Sequence, residues 1–266
     1  MTTESASRYD NLEQQSVADL LAGMNREDQT VPLAVAAALP ALEALVTATV
    51  ARLRAGGRLF YIGAGTSGRL GIVDASECPP TFGVAAGVVV GLIAGGDRAI
   101  RQAVEFAEDD EAQAWRDLEA HQCNAADIVV GIAASGRTPY VVGGLRQARA
   151  RGITTGCLVC NPHSAVARGA DFPVELLTGP EFVTGSTRLK AGTAQKLALN
   201  MLTTATMIQL GHVRGNQMVD MQLSNHKLVE RGARMLMDAL HIPEPQARAL
   251  LARHGSVRAV LDAQKS

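Results

Sequence analysis
The chain has 266 residues, a formal net charge of -1 and 47% hydrophobic content. A chain of that length buries about three quarters of its unfolded surface in one large domain, or in one domain plus a small one, which excludes a disordered or fibrous protein. The near-neutral charge gives no reason to expect a nucleic-acid partner.

Residues 1–55 read as an N-terminal helical segment. Residues 11–24 are the best early helical piece, and an Ala/Leu/Val-rich pattern over residues 31–54 predicts a long helix, kinked or broken at Pro40 and ended by Gly56-Gly57. The N-terminus has no basic region followed by an apolar core, and its longest charge-free apolar run, residues 30–42, is too short to cross a bilayer. The expectation is a cytoplasmic protein with no membrane partner. Residues 56–223 read as the main domain. Leu59, Phe60, Tyr61 and Ile62 make a first strand, followed by a glycine loop and a helix. Residues 88–94 make a second strand, after which Asp97 is expected to cap a helix running to about Ala120. Residues 127–133, 154–160 and 172–176 give three more strands, with a helix through Arg151 between the first two of them. Strands alternating with helices predict an α/β fold, a doubly wound parallel five-stranded sheet flanked by helices, with its ligand crevice beyond the carboxyl ends of the strands. Residues 224–266 form a short helical C-terminal region broken at Pro243 and Pro245.

Three loops combine glycines with hydroxyls. Gly63-Ala64-Gly65-Thr66-Ser67-Gly68 follows the first strand and Ala134-Ser135-Gly136-Arg137-Thr138-Pro139 the third. Thr184-Gly185-Ser186-Thr187 leads through Arg188 and Leu189 to Lys190 and a helix ending at Gly211. Such loops turn backbone N–H groups and helix dipoles toward an anion such as phosphate. Thr66, Ser67, Ser135, Thr138, Ser186 and Thr187 would add hydroxyls, and Arg137 and Lys190 positive charge. Ser186 or Thr187 is expected to cap the last helix, leaving N–H groups free beside Lys190. Each loop alone could merely cap its helix; three at one sheet edge favour a ligand. The first loop also fits G-x-G-x-x-G, yet no carboxylate stands at the end of the next strand, so no dinucleotide is expected. No Gly-Lys-Ser or Gly-Lys-Thr occurs for a Walker A loop. The four cysteines form no repeated pair pattern. Cys157 and Cys160, three apart on a strand, face opposite sides, which suits buried thiols better than a metal or redox pair.

GAGTSGR, ASGRTP and TGSTRLKAGTAQK resemble the phosphosugar-binding (SIS) domain of sugar isomerases. Within that superfamily ASECPPTFG and GPEFVTGSTRLKAGTAQKLALNML resemble the N-acetylmuramic acid 6-phosphate etherases, over about residues 12–228. The resemblance implies that residues 56–223 are a SIS domain working as a homodimer, with a phosphosugar held by Ser and Thr and no metal or other cofactor. It implies cleavage of the lactyl ether at C3 by elimination of D-lactate and addition of water. That chemistry needs a base for the C2 proton of the ring-opened aldehyde and an acid for the departing lactate oxygen. The resemblance makes Glu77 the acid and Glu108 the base. The residues themselves do not choose between Glu108 and Glu105, which would share a face of the predicted helix at i, i+3. If Ser67 to Ser76 is continuous helix, Glu77 lies about 15 Å from the phosphate loop at roughly 1.5 Å per residue, farther than one hexose comfortably reaches. Glu77 then serves the partner subunit's site, or Pro79-Pro80 folds it back. Lys190 would stabilise an enolate oxygen or hold phosphate, and the tail beyond Leu228 looks shorter than the family's. Two other readings share the phosphate loops: an aldose-ketose isomerase, which needs no acid for lactate, and a non-catalytic phosphosugar sensor, against which Glu77 and Glu108 together count. A sensor that controls DNA would also carry a helix-turn-helix module and a basic patch, and the N-terminal segment shows neither clearly.

Overall fold
The computed structural model describes residues 3–264. Five apolar runs, β1 (Leu59–Gly63), β2 (Val89–Ile93), β3 (Ile128–Ala133), β4 (Thr154–Val159) and β5 (Phe172–Glu175), form one all-parallel sheet in the order β2-β1-β3-β4-β5. Successive side chains point to opposite faces. Leu59, Tyr61, Val130, Ile132, Leu158 and Val174 enter one core, while Phe60, Ile62, Val129, Cys157 and Val159 enter the other. Both faces are covered, which is why the strands are apolar without alternation.

The helices up to the end of the sheet domain are α1 (Val17–Asp28), α2 (Val31–Ala37), α3 (Leu39–Arg54), α4 (Gly65–Phe82), α5 (Arg98–Arg101), α6 (Gln113–Ala120), α7 (Pro139–Ala150), α8 (Ala165–Gly169) and α9 (Lys190–Gln209). α2, α3, α4 and α9 pack on the first face, and α6, α7 and α8 on the second. The helix expected over residues 31–54 breaks at Ala38, with a 59° bend between the segments on either side. Pro40 falls in the first turn of α3, where its missing N–H has no helical partner to lose.

Two expectations need correction. Residues 97–120 are not one helix: Asp97 makes no capping bond, α5 ends after four residues, Phe106 sits at φ 58, and residues 107–109 form a single 3-10 turn before α6. The run from Gln102 to Ala112 carries too little apolar stripe to lie helically on the sheet. Nor does Pro79-Pro80 reverse the chain. α4 continues through both prolines to Phe82 and stops at Gly83, in the left-handed region at φ 68.

Beyond the sheet, α10 (His226–Leu240), α11 (Glu244–His254) and α12 (Val257–Ala263) close around a third core that includes Val219, Met221, Leu236, Leu251 and Val260. Asp220 joins this unit to the sheet domain. It accepts from Arg258 Nε (2.5 Å) and Nη2 (2.7 Å) and pairs with His212 Nδ1 (2.9 Å). Gln222 N–H donates to the Pro80 carbonyl at the end of α4 (3.1 Å). Among the described residues no single helix is long and apolar enough to cross a membrane.

Candidate active site
Parallel register places Gly63 of β1 opposite Ile132 of β3, so the loops after these strands leave the sheet side by side. The chain turns tightly there. A Cβ on Gly63 would lie 2.8 Å from the Gly68 nitrogen, so only glycine lets α4 begin this close to the strand. Gly136 has φ +67, and a Cβ there would meet Ser164 Oγ at 2.2 Å.

Between the loops lies a cavity of about 430 Å³, in the range of small-molecule sites. Thr66, Ser67, Ser135, Arg137, Thr138 and Thr187 line it, together with Glu108 and Glu4. The hydroxyl-bearing ends of all three glycine loops therefore meet. Glu108 reaches the cavity because the 3-10 turn at residues 107–109 carries it there. Glu105 lines a neighbouring cavity of about 200 Å³ that shares Ala64, Gly65 and Glu108 with the first. The two glutamates lie on no common helix face, and the loop separates what the sequence left joined.

Ser186, Lys190 and Glu77 stand apart. The expected cap of α9 by Ser186 or Thr187 is overturned: Leu189 is the N-cap, and the Glu181 carboxylate accepts from the backbone N–H of Lys190 (2.9 Å) and Ala191 (3.0 Å). A protein anion thus fills the helix terminus that looked open to a ligand. Lys190 is 2% exposed, and its Nζ lies 2.5 Å from Glu27 Oε2, which points it away from the cavity lining. Burial pushes the Glu27 pKa up, and the bond and charge of Lys190 outweigh this, leaving it below the usual carboxylate value. Glu77 is exposed on α4, one turn after the exposed Val73, and the unbroken helix preserves its distance from the loop.

Three site features had no sequence signal. Thr3 N–H donates to Asn161 Oδ1 (3.1 Å), while Asn161 Nδ2 donates to Thr3 Oγ1 (2.7 Å) and to the carbonyls of Ala134 (3.2 Å) and Ser135 (3.3 Å). Ser7 Oγ donates to the Phe182 carbonyl (2.7 Å), and Ser7 N–H to Thr184 Oγ1 (2.9 Å). These pairs draw the N-terminal segment across two of the loops and place Glu4 over the cavity. Behind Ser67, buried Gln195 accepts a hydrogen bond from its hydroxyl through Oε1 (2.8 Å), and Gln195 Nε2 has no partner among the described residues. Further along α4, buried Asp74 accepts from Tyr61 (2.9 Å), Thr203 (3.1 Å) and Asn200 (3.4 Å), fastening α4 to β1 and α9. Burial raises the Asp74 pKa to about 6 against those three bonds.

Among the described residues no group of three or more His, Cys, Asp or Glu is placed to hold a metal ion. Cys157 and Cys160 enter opposite cores, and burial pushes the Cys157 thiol up to about 12.

Residues 41–149 match the model of the glucokinase regulatory protein N-terminal SIS domain, and residues 102–205 match the SIS domain model. A phosphoheptose isomerase from Francisella tularensis superposes with a TM-score of 0.57 at 18% identity, over 73% of this chain and all of that one. By fold the molecule is a SIS protein with its cavity at the carboxyl edge of the sheet. The N-acetylmuramic acid 6-phosphate etherase of Christiangramia forsetii is 59% identical over 99% of this chain and 96% of its own length. That of Jannaschia sp. is 54% identical over 96% of this chain and 81% of its own. The chain belongs to the N-acetylmuramic acid 6-phosphate etherase family.

Proposed function
We propose that the protein is a carbon–oxygen lyase that converts N-acetylmuramic acid 6-phosphate and water to N-acetylglucosamine 6-phosphate and D-lactate, in the breakdown and recycling of cell-wall amino sugars. The observation that carries this reading is Glu108 in the same cavity as the converging hydroxyl loops. In the proposed mechanism Thr66, Ser67, Ser135, Thr138 and Thr187 hydrogen-bond the phosphate and Arg137 offsets its charge. Ser67 must turn its proton from Gln195 to do so. Glu108 takes the C2 proton of the open-chain aldehyde, the C3–oxygen bond breaks, and an acid protonates the lactate oxygen. Water then adds at C3 and C2 regains its proton. Ser186 supports Thr187 from the adjacent position, and Lys190 acts through Glu27, tying α1 to the head of α9.

Glu77 is the acid in this reading, supplied to the cavity of a second subunit. The support is its outward position on α4 beside Val73, with Met201 and Ile208 exposed on α9, which packs on the same face of the sheet. A homodimer would cover these apolar side chains. Mixing Glu77→Ala with Ser135→Ala protomers tests the sharing, and activity that stays at the level of the separate variants would argue against it. The thiols of Cys78, Cys123 and Cys157 favour a reducing, cytoplasmic setting.

Incubation with the substrate in heavy-oxygen water decides the reaction. D-lactate release with label at C3 of the sugar is expected. No lactate, with the sugar phosphate still raising the melting temperature, would turn the reading to a sensor; aldose-ketose interconversion would turn it to an isomerase.

A further inference from the structure
The 200 Å³ cavity beside the site has Arg69 in its wall. Arg69 stands one turn into α4, and its Nε donates to the Ile100 carbonyl (2.9 Å), which sets the direction of the guanidinium. Among the described residues it makes no ion pair, although Glu105 shares the wall. Ala99, Ala103, Val104 and Phe106 add apolar side chains to a wall that also carries Glu105 and Glu108. A guanidinium fixed by one backbone bond keeps further N–H donors, and a planar fork of that kind matches a carboxylate.

We propose that this second cavity receives the D-lactyl arm of the substrate and that Arg69 holds its carboxylate. The inference rests on the etherase reading. The substrate carries an anion at each end of its reacting region, the phosphate on C6 and the lactyl carboxylate on the C3 oxygen, with the labile proton on C2 next to C3. The protein offers the same order. Hydroxyl loops line one cavity, Arg69 lines the other, and Glu108 belongs to the wall they share. Held at its carboxylate, the lactyl arm presents its ether oxygen in a fixed direction while the C3–oxygen bond breaks. A sugar phosphate without the arm gains nothing from Arg69, so the residue sets specificity for the ether.

The test compares Arg69→Met with wild type on three ligands. KM for N-acetylmuramic acid 6-phosphate is expected to rise about ten- to hundredfold, the range for losing a charged hydrogen-bond partner. Inhibition by N-acetylglucosamine 6-phosphate, which lacks the arm, is expected to stay unchanged. A substrate with its lactyl carboxylate converted to the amide should be poor for wild type, and Arg69→Met should no longer distinguish acid from amide. Equal weakening of product and substrate would overturn the proposal, because Arg69 would then act only by holding the Ile100 loop. Retained discrimination between acid and amide would also overturn it. Arg69→Gln, which keeps a donor for Ile100 but no charge, carries the same test if Arg69→Met does not fold. Wild type that releases no lactate sinks the etherase reading by itself, before any variant is made.

Discussion
Glu108→Gln preserves size and removes the base. The expected outcome is a fall in kcat of about a hundredfold or more, with inhibition by inorganic phosphate unchanged, because the hydroxyl loops remain intact. Phosphate inhibition that weakens in step with kcat would mean that Glu108 shapes the anion site instead. Glu4 makes the opposite kind of contribution. It is exposed and lines the cavity that receives the phosphate, so Glu4→Ala removes a like charge and should tighten binding of the sugar phosphate without changing the bound reaction, a fall in KM with kcat unchanged. Hydroxyl-rich glycine loops are legible in a sequence because their residues are local to one turn. Glu4 was not legible, since what positions it is the neighbouring pair of Thr3 with Asn161, 158 residues apart. Arg69 was visible in GAGTSGR yet carried no assignment, because a helix position says nothing of the loop that walls the cavity opposite.

At the scale of elements, the sheet and its helices followed from apolar runs punctuated by glycine, and the breaks were the weak points. Residues 102–112 have too little helical stripe to bury, so a helix extrapolated from Asp97 overran a loop. The head of α9 failed differently: Ser186 and Thr187 had the chemistry of caps, but Glu181 reaches the N–H groups first. The same helix head holds a buried ion pair, Lys190 with Glu27. Removing one partner strands a charge, so Glu27→Ala should destabilise by about 3 kcal/mol in urea unfolding. The double variant Glu27→Met with Lys190→Met should recover most of that loss. If the double variant is as unstable as the single one, packing against α1 matters more than the charge.

Over the whole molecule, buried carboxylates shape the pH response. The Asp74 pKa is raised from 3.8 to about 6, so the folded protein holds a proton that the unfolded chain has released. Its contribution to stability is full below about pH 4 and declines as pH rises toward 6. Asp127 and Asp220 work in the other sense. Burial raises each, but Arg58 and the backbone N–H groups of Asn124 and Arg58 bring Asp127 below its ordinary value, and Arg258 and His212 do the same for Asp220. Their stabilisation is present above the ordinary carboxylate pKa and fades as pH falls below it. Subtracting the melting curve of Asp74→Asn from that of wild type isolates the first effect: the difference should change between pH 4 and 6 and be flat above. A flat difference throughout would show that Asp74 titrates as it does in the unfolded chain.

The tie between Thr3 and Asn161 has a practical side. Anything fused ahead of Thr3 emerges at the rim of the cavity, whereas a fusion after residue 264 follows α12, far along the chain from the glycine loops. An environment-sensitive dye carried at the amino end should therefore change its emission as the sugar phosphate fills the cavity, and the same dye at the carboxyl end should not.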